Sequence, residues 1–312
     1  MEVIYSKEKP ISIKESILTV GSYDGIHLGH RELLSTLVQN SKNYGIPSIV
    51  ITFDPHPREI LNEKVNNFPL IMNMEQKLKI IESHGVDFVY VINFTKEYSR
   101  ITANDFMNQT IIPQFNPKVI IIGANHFFGK GREGSPSYLK NFGKNNQIEI
   151  IIIQPILNKN VEISSTRIRK FITSGLIEKA NYELGTKFSI WGEVVHGSGR
   201  GRILNFETAN INPLDNKQLL PKMGVYLIHG RINGLNAFGM CNIGVRPTFS
   251  EKKLVMEIHF FHDGITNLYG KKVNVEFLER IRDEKKFPTS KKLIKQLKID
   301  KQTCLEISNK YK

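Results

Sequence analysis

"VGSYDGIHLGHREL", residues Val20 to Leu33, decides how this chain is read. It follows the β-branched run "ILTVG" and passes into a segment with Leu33, Leu34, Leu37 and Val38 on one helical face, beginning near His30. A strand, a tight turn and a helix are the expected order. Two imidazoles, His27 and His30, stand three apart with Gly29 between them. The free amide groups and the dipole of a helix N-terminus attract anions, and phosphate is their natural ligand. Gly25 and Gly29 let a bulky ligand approach the backbone. Two structural histidines in a tight turn are the plainer reading, but the H-x-G-H spacing directly after a strand favours anion binding.

Outward from this stretch, Ile17 to Gly175 alternates short apolar runs with helical patterns. The runs are "ILTVG", "SIVITF", "DFVYVI", "KVIIIG" and "IEIIIIQ"; "HRELLSTLVQNSKN", "MEQKLKIIESHG" and "ANDFMNQTII" lie among the segments between them. Continuous apolar strands separated by helices predict an α/β domain with a doubly wound parallel sheet. Its ligands belong at the carboxyl ends of the strands. After Lys187 the rhythm becomes strand-like with turn residues and no helix until about Thr289, which predicts a small antiparallel β-barrel with one terminal helix. The boundary falls near "LGTKF", giving domains 1–185 and 186–312.

With 312 residues, 40% hydrophobic and 23% charged, the chain has room for two cores. Its longest apolar runs are too short to span a bilayer, and "MEVIYSKEKPIS" lacks a secretory pattern, so the expected compartment is the cytoplasm. Cys241 and Cys304 match no metal-ligand spacing. The net charge of +13 raises nucleic acid as a partner. Most of the excess lies beyond Lys187, and "KKLIKQLKIDKQTCLEISNKYK" spaces Leu293, Ile294, Leu297 and Leu305 as an amphipathic helix. Its lysines then read as a solvated face, and nucleic acid is not the expected partner.

A second candidate segment, "EISSTRIRKFITSG", follows "IEIIIIQPIL". Ser164 or Ser165 serves there as a helix N-cap; hydroxyls with arginines one turn on also suit the far end of a triphosphate.

Together "GSYDGIHLGH", "TFDPHP", "GANHFFGKGREG" and "ISSTRIR" resemble, in order and spacing, the signature segments of the adenylyltransferase module of bacterial bifunctional riboflavin kinase/FAD synthetases. The resemblance implies that the phosphate of FMN attacks the α-phosphorus of ATP, with pyrophosphate leaving and Mg²⁺ assisting. His27 and His30 then stabilise the transition state. Gly21, Ser22, Tyr23, Gly29, Ser164, Ser165, Thr166 and Arg169 bind ATP and its phosphates. Asp54, His56, Asn125, Phe127 and Phe128 belong to the flavin side, and Pro55 and Pro57 also serve to fix a strand exit. The family usually has an aromatic residue where His126 stands.

"GEVVHGSGRGRILNFETANI", "CNIGVRPTF", "VMEIHFF" and "NLYGKKVNVEFLERIRDEKKF" resemble the riboflavin kinase module of the same family. It implies transfer of the γ-phosphoryl group of ATP to riboflavin, with Glu257 as base, Thr208 and Asn210 at Mg²⁺ and the phosphates, and Gly199 and Arg202 in an ATP-binding turn. Glu257 is equally compatible with a solvent-facing position in a strand. Where the family reads G-F-P-T-A-N this chain has "NFETAN", so Asn205 replaces glycine and Glu207 adds a negative charge. The expected function is a bifunctional enzyme making FMN and then FAD, with riboflavin, FMN, FAD and ATP as partners. The alternative is an adenylyltransferase alone, with the barrel kept as a flavin-binding or structural module.

Overall fold

The computed structural model describes residues 1–7, 12–61, 68–196, 206, 208–232, 234–247, 252–262 and 268–312. The chain divides into two compact units, Met1–Pro69 with Met74–Ser164, and Leu70–Asn73 with Ser165–Lys312.

In the first unit, β1 (Glu2–Tyr5), β2 (Ser16–Val20), β3 (Ser48–Asp54), β4 (Phe88–Asn93), β5 (Pro117–Gly123) and β6 (Glu149–Ile153) form one sheet in the order β1-β4-β3-β2-β5-β6. Every neighbouring pair is parallel, as the apolar runs predict. The helices between them are α1 (Leu28–Tyr44), α2 (Pro57–Leu61), α3 (Met74–Ser83), α4 (Ala103–Asp105), α5 (Ile112–Phe115) and α6 (Pro136–Asn146). A π-helical stretch, Phe106–Ile111, joins α4 to α5. One layer of the core gathers Leu18, Ile49, Ile51, Phe115 and Ile120, all 0–2% exposed. Strand β1 was absent from the sequence expectation: four residues at a sheet edge, none fully buried, carry little hydrophobic signal. Strand order reverses at β2, which pairs with β3 on one side and β5 on the other. In an open parallel sheet that reversal opens a crevice at the carboxyl edge. A short hairpin, β7 (Leu157–Asn158) and β8 (Val161–Glu162), follows β6.

The second unit starts with α7 (Ser165–Thr173) and α8 (Ile177–Leu184). It continues with β9 (Ser189–Val195), β10 (Ala209–Pro213), β11 (Gly224–Ile232), β12 (Leu235–Pro247), β13 (Lys252–Phe260) and β14 (Lys272–Arg282). These close a barrel in the order β10-β13-β12-β11-β14-β9, antiparallel throughout. The terminal helix α9 (Ser290–Ser308) is capped by Thr289, whose side chain accepts from the Lys292 amide. Ile294, Leu297, Cys304 and Ile307 pack on Val225, Leu227, Met240 and Leu278. This outer cover explains the uninterrupted run "VYLI" in β11: Val225 and Leu227 lie under the helix, while Tyr226 and Ile228 point the other way, and all four are at most 3% exposed. The helix differs from expectation in phase, since Leu305 is 38% exposed and the small Cys304 takes the inward position. Among the described residues no helix is long and apolar enough to cross a membrane.

A buried ion pair ties α9 to the barrel. Arg282 Nε and Nη2 donate to Asp300 at 2.7–3.0 Å, Gln296 Nε2 donates to Asp300 Oδ1 at 2.8 Å, and Asp300 is 1% exposed. Removing one partner strands the other charge. Asp300→Ala is expected to destabilise the second unit by about 3 to 5 kcal/mol, read from urea unfolding followed by Trp191, the chain's one tryptophan; a change below about 1 kcal/mol would contradict this role.

Candidate active sites

At the carboxyl end of β2 the ladder runs one residue further, the Gly21 amide donating to the Ile51 carbonyl at 3.0 Å. The chain then turns through left-handed backbone at Tyr23 (φ 50°), Gly25 (φ 92°) and Ile26 (φ 33°). Glycine takes such angles freely, whereas tyrosine and a β-branched isoleucine do so at a cost of order 1–3 kcal/mol each. Burial holds them there. Tyr23 is 1% and Ile26 0% exposed, and the Tyr23 hydroxyl shares a 2.6 Å hydrogen bond with Thr19 Oγ1.

This turn delivers His27 as the N-cap of α1 and His30 in its first turn. The rings stack at 3.8 Å between centroids and 18° between planes, and Tyr23 lies 5.2 Å from His30. A Cβ on Gly29 would stand 3.3 Å from the His27 ring, so glycine is what admits the ring at that spacing. Both Nδ1 atoms are buried and find no hydrogen-bond partner among the described residues. Burial pushes His27 down to about 4; burial first, then His27 and Lys77, push His30 well below the usual imidazole range. Two orphaned nitrogens at a helix N-terminus form a place where an anion supplies both the missing hydrogen-bond partner and the missing charge.

The neighbouring strand ends add to the same edge. After β3, Asp54 is exposed and joined to Pro55 by a cis peptide bond. His56 caps α2: its Nδ1 accepts from the Arg58 amide at 3.1 Å, its own amide donates to Glu59 Oε1 at 3.2 Å, and Pro57 occupies the first helical position. That is a capping box, with the His56 ring stacked on Phe68 at 4.8 Å. A cavity of about 680 Å³ opens beside it, lined among others by Lys7, Pro55, Glu59, Asn93, Phe94 and Lys96. After β5, Asn125 is exposed and donates to Glu162 Oε1 at 2.8 Å. Phe127 is 41% exposed under the Arg132 guanidinium, 4.6 Å from its ring centre. Phe128 turns into the core against Phe106 and Tyr138, while burial pushes His126 down to about 4.

Ser165, Thr166 and Arg169 open α7, with Ser164 just before it. Arg169 is 9% exposed. The intervening Arg167 serves a local purpose, pairing at 2.8 Å with Glu183 of α8, which is fully buried.

In the barrel, β10 and β12 flank β13 so that Asn210, Glu257 and Asn242 stand side by side, each asparagine directly opposite the glutamate. Directly paired residues share a face, and these three share the outer one with Met240. All three are part-exposed between the buried neighbours Ala209, Ile258 and Cys241. Burial, and then the Glu257 charge, push the Cys241 thiol well up. Thr208 enters β10 immediately before Ala209. An amide, a hydroxyl and a carboxylate supply hard oxygen donors of the kind Mg²⁺ takes, so the residues present fit that ion. Gly199, Arg202, Asn205 and Glu207 lie outside the described residues.

Three residues escaped the sequence reading. Lys77 sits four residues before Ile81 on the buried face of α3, a spacing that was legible. Asn242 needed the strand register, and Phe94 needed the sheet order that puts the end of β4 beside that of β3.

The imidazole pair carries a pH signature. A His27 pKa near 4 in the folded chain lies below the ordinary 6.5, so between those values the unfolded chain binds more protons. The contribution to stability is complete above about pH 6.5 and is lost as the pH falls towards 4. Imidazole NMR is expected to show His27 titrating near 4 and shifting upward with inorganic triphosphate; titration near 6.5 in the free protein would refute the burial argument.

Residues 9–167 match the FAD synthetase family model, and residues 184–308 match that of riboflavin kinase. The bifunctional riboflavin kinase/FMN adenylyltransferase of Buchnera aphidicola subsp. Acyrthosiphon pisum is 37% identical over 289 residues, covering 91% of this chain and 91% of its own. That of Bacillus subtilis is 33% identical over 294 residues, covering 93% and 92%. A crystal structure described as a macrolide-efflux protein from Streptococcus pneumoniae aligns with a TM-score of 0.88 and 31% identity, over 97% of this chain and 99% of that one. An imidazole pair at the reversal of a parallel sheet and a carboxylate between two asparagines on a barrel thus occur in a chain whose relatives match it nearly end to end: it belongs to the bifunctional riboflavin kinase/FMN adenylyltransferase family.

Proposed function

We propose that this chain uses ATP twice, phosphorylating riboflavin to FMN and then adenylylating FMN to FAD. The reading assigns the adenylyl transfer to 1–185 and the kinase to 186–312. The observation that carries it is the stacked, unsatisfied imidazole pair at the N-terminus of α1, together with family matches that cover both modules.

In adenylyl transfer a phosphate oxygen of FMN forms a bond to the α-phosphorus of ATP as the bond to the β-phosphate oxygen breaks. Pyrophosphate carries away the electron pair. No covalent enzyme intermediate is required, so catalysis rests on positioning and charge neutralisation. His27 and His30 donate hydrogen bonds to the phosphates, taking up protons when the polyphosphate supplies the compensating charge. Gly21, Ser22, Tyr23 and Gly29 shape the backbone that meets the nucleotide, and Ser164, Ser165, Thr166 and Arg169 bind its phosphates. The cavity beside Pro55 and Phe94, next to Asp54 and His56, seats the flavin, with Asn125 and exposed Phe127 contributing at the same sheet edge.

In the kinase step the ribityl hydroxyl of riboflavin attacks the γ-phosphorus and ADP leaves. Glu257 accepts the hydroxyl proton, and its placement between Asn210 and Asn242 holds the carboxylate among hydrogen-bonding side chains. Thr208 and Asn210 would hold Mg²⁺, which neutralises developing phosphate charge when bound.

Incubation with riboflavin, ATP and Mg²⁺ is expected to yield FAD; FAD from FMN but none from riboflavin would remove the kinase half, including any kinase role for "NFETAN". His30→Ala is expected to lower FMN adenylylation by about a hundredfold or more and leave riboflavin phosphorylation within about twofold. Glu257→Gln is expected to do the reverse. An equal loss of both activities in either variant would contradict the assignment.

A further inference from the structure

Helix α3 places a lysine where packing alone asks for an apolar side chain. Lys77 is 5% exposed and shares its buried face with Ile81. Its Nζ donates to the Ser22 carbonyl at 2.8 Å and lies 3.5 Å from Thr52 Oγ1; Thr52 Oγ1 in turn reaches the same carbonyl at 3.4 Å. Ser22 is the last residue before the left-handed turn of Tyr23, Gly25 and Ile26, which leads into His27 and His30.

Burying an ammonium is unfavourable unless it is hydrogen-bonded and compensated. Here burial lowers its pKa, while Asp24 in the turn, Asp54 at the end of β3 and Glu59 in α2 act in the opposite direction. Lys77 and His27 are the positive or protonatable groups acting on His30, and Tyr23 is its aromatic neighbour. An apolar residue of similar length would fill the same volume without this cost. The stability of the helix-to-sheet contact therefore does not account for the lysine; the turn it grips does.

We infer that Lys77 is a positioning residue for adenylyl transfer: by clamping the Ser22 carbonyl from beneath, it fixes the turn that presents His27 and His30 to the nucleotide. This rests on the adenylyl-transfer reading above. Lys77 itself touches neither substrate. Its charge also adds to burial and to His27 in disfavouring protonation of His30.

The test uses the full chain with Lys77→Met, and Lys77→Gln as a second variant that keeps a donor and drops the charge. In Lys77→Met, kcat for FMN adenylylation is expected to fall about tenfold or more, with the KM for FMN and riboflavin phosphorylation each within about twofold. Amide exchange of residues 21–27 should accelerate while β2, β3 and α1 stay protected. The His30-dependent limb of the rate–pH profile should move to higher pH in both variants, because a positive neighbour is gone; a purely structural lysine would not move it. Unchanged kcat, exchange and pH profile would overturn the inference. So would exchange that rises across the whole sheet with an unmoved profile, and if Lys77→Met does not fold, an unmoved profile and rate in Lys77→Gln do the same. A parent protein that makes no FAD from FMN sinks the functional reading instead, and the exchange of residues 21–27 then still decides whether Lys77 positions the turn.

Discussion

A parallel sheet covered on both faces leaves polar chemistry only its strand ends, and the first unit of this protein is organised by that constraint. Its strands are near-continuous Val and Ile because both surfaces are dry. The turns after β2, β3, β4 and β5 can therefore hold imidazole, carboxylate and amide groups that no interior strand position could satisfy. Where the order reverses at β2, the backbone takes up left-handed angles to bring α1 in with its N-terminus at the edge.

The barrel solves the same problem differently. Antiparallel strands bury one face in the barrel interior and leave the other to be covered or solvated. Helix α9, held by the Arg282–Asp300 pair, covers β11 and the adjoining part of β12, and the outer face of β10, β13 and β12 carries the part-exposed Asn210, Glu257 and Asn242. The outer face is apolar where α9 packs and polar elsewhere, with His229 and Arg231 of β11 paired to Glu276 of β14.

Electrostatics separates the two sites further. Around β2 the protein assembles protonatable groups: burial holds His27 down, burial with His27 and Lys77 holds His30 down, and burial of the Lys77 ammonium is opposed by Asp24, Asp54 and Glu59. Both imidazole Nδ1 atoms there find no hydrogen-bond partner among the described residues. The barrel row instead sets one carboxylate, Glu257, between the amides of Asn210 and Asn242.

By itself the sequence determined the class of each unit, because unbroken apolar runs and turn-separated strands are different solvation patterns that need no third dimension to be recognised. It also marked His27 and His30 by their H-x-G-H spacing after a strand, and Asn210 and Glu257 through the resemblance of their segments to a family module. Only the tertiary structure decided which groups meet. It put β1 on the edge beside β4, rotated α9 so that Cys304 rather than Leu305 faces inward, turned Phe128 into the core, and set Asn242 across from Glu257 through strand register. It brought Lys77 under Ser22 across 55 residues of chain. Contacts of that kind depend on how strands are ordered and helices are phased, quantities fixed by the whole core at once and written in no single stretch of residues.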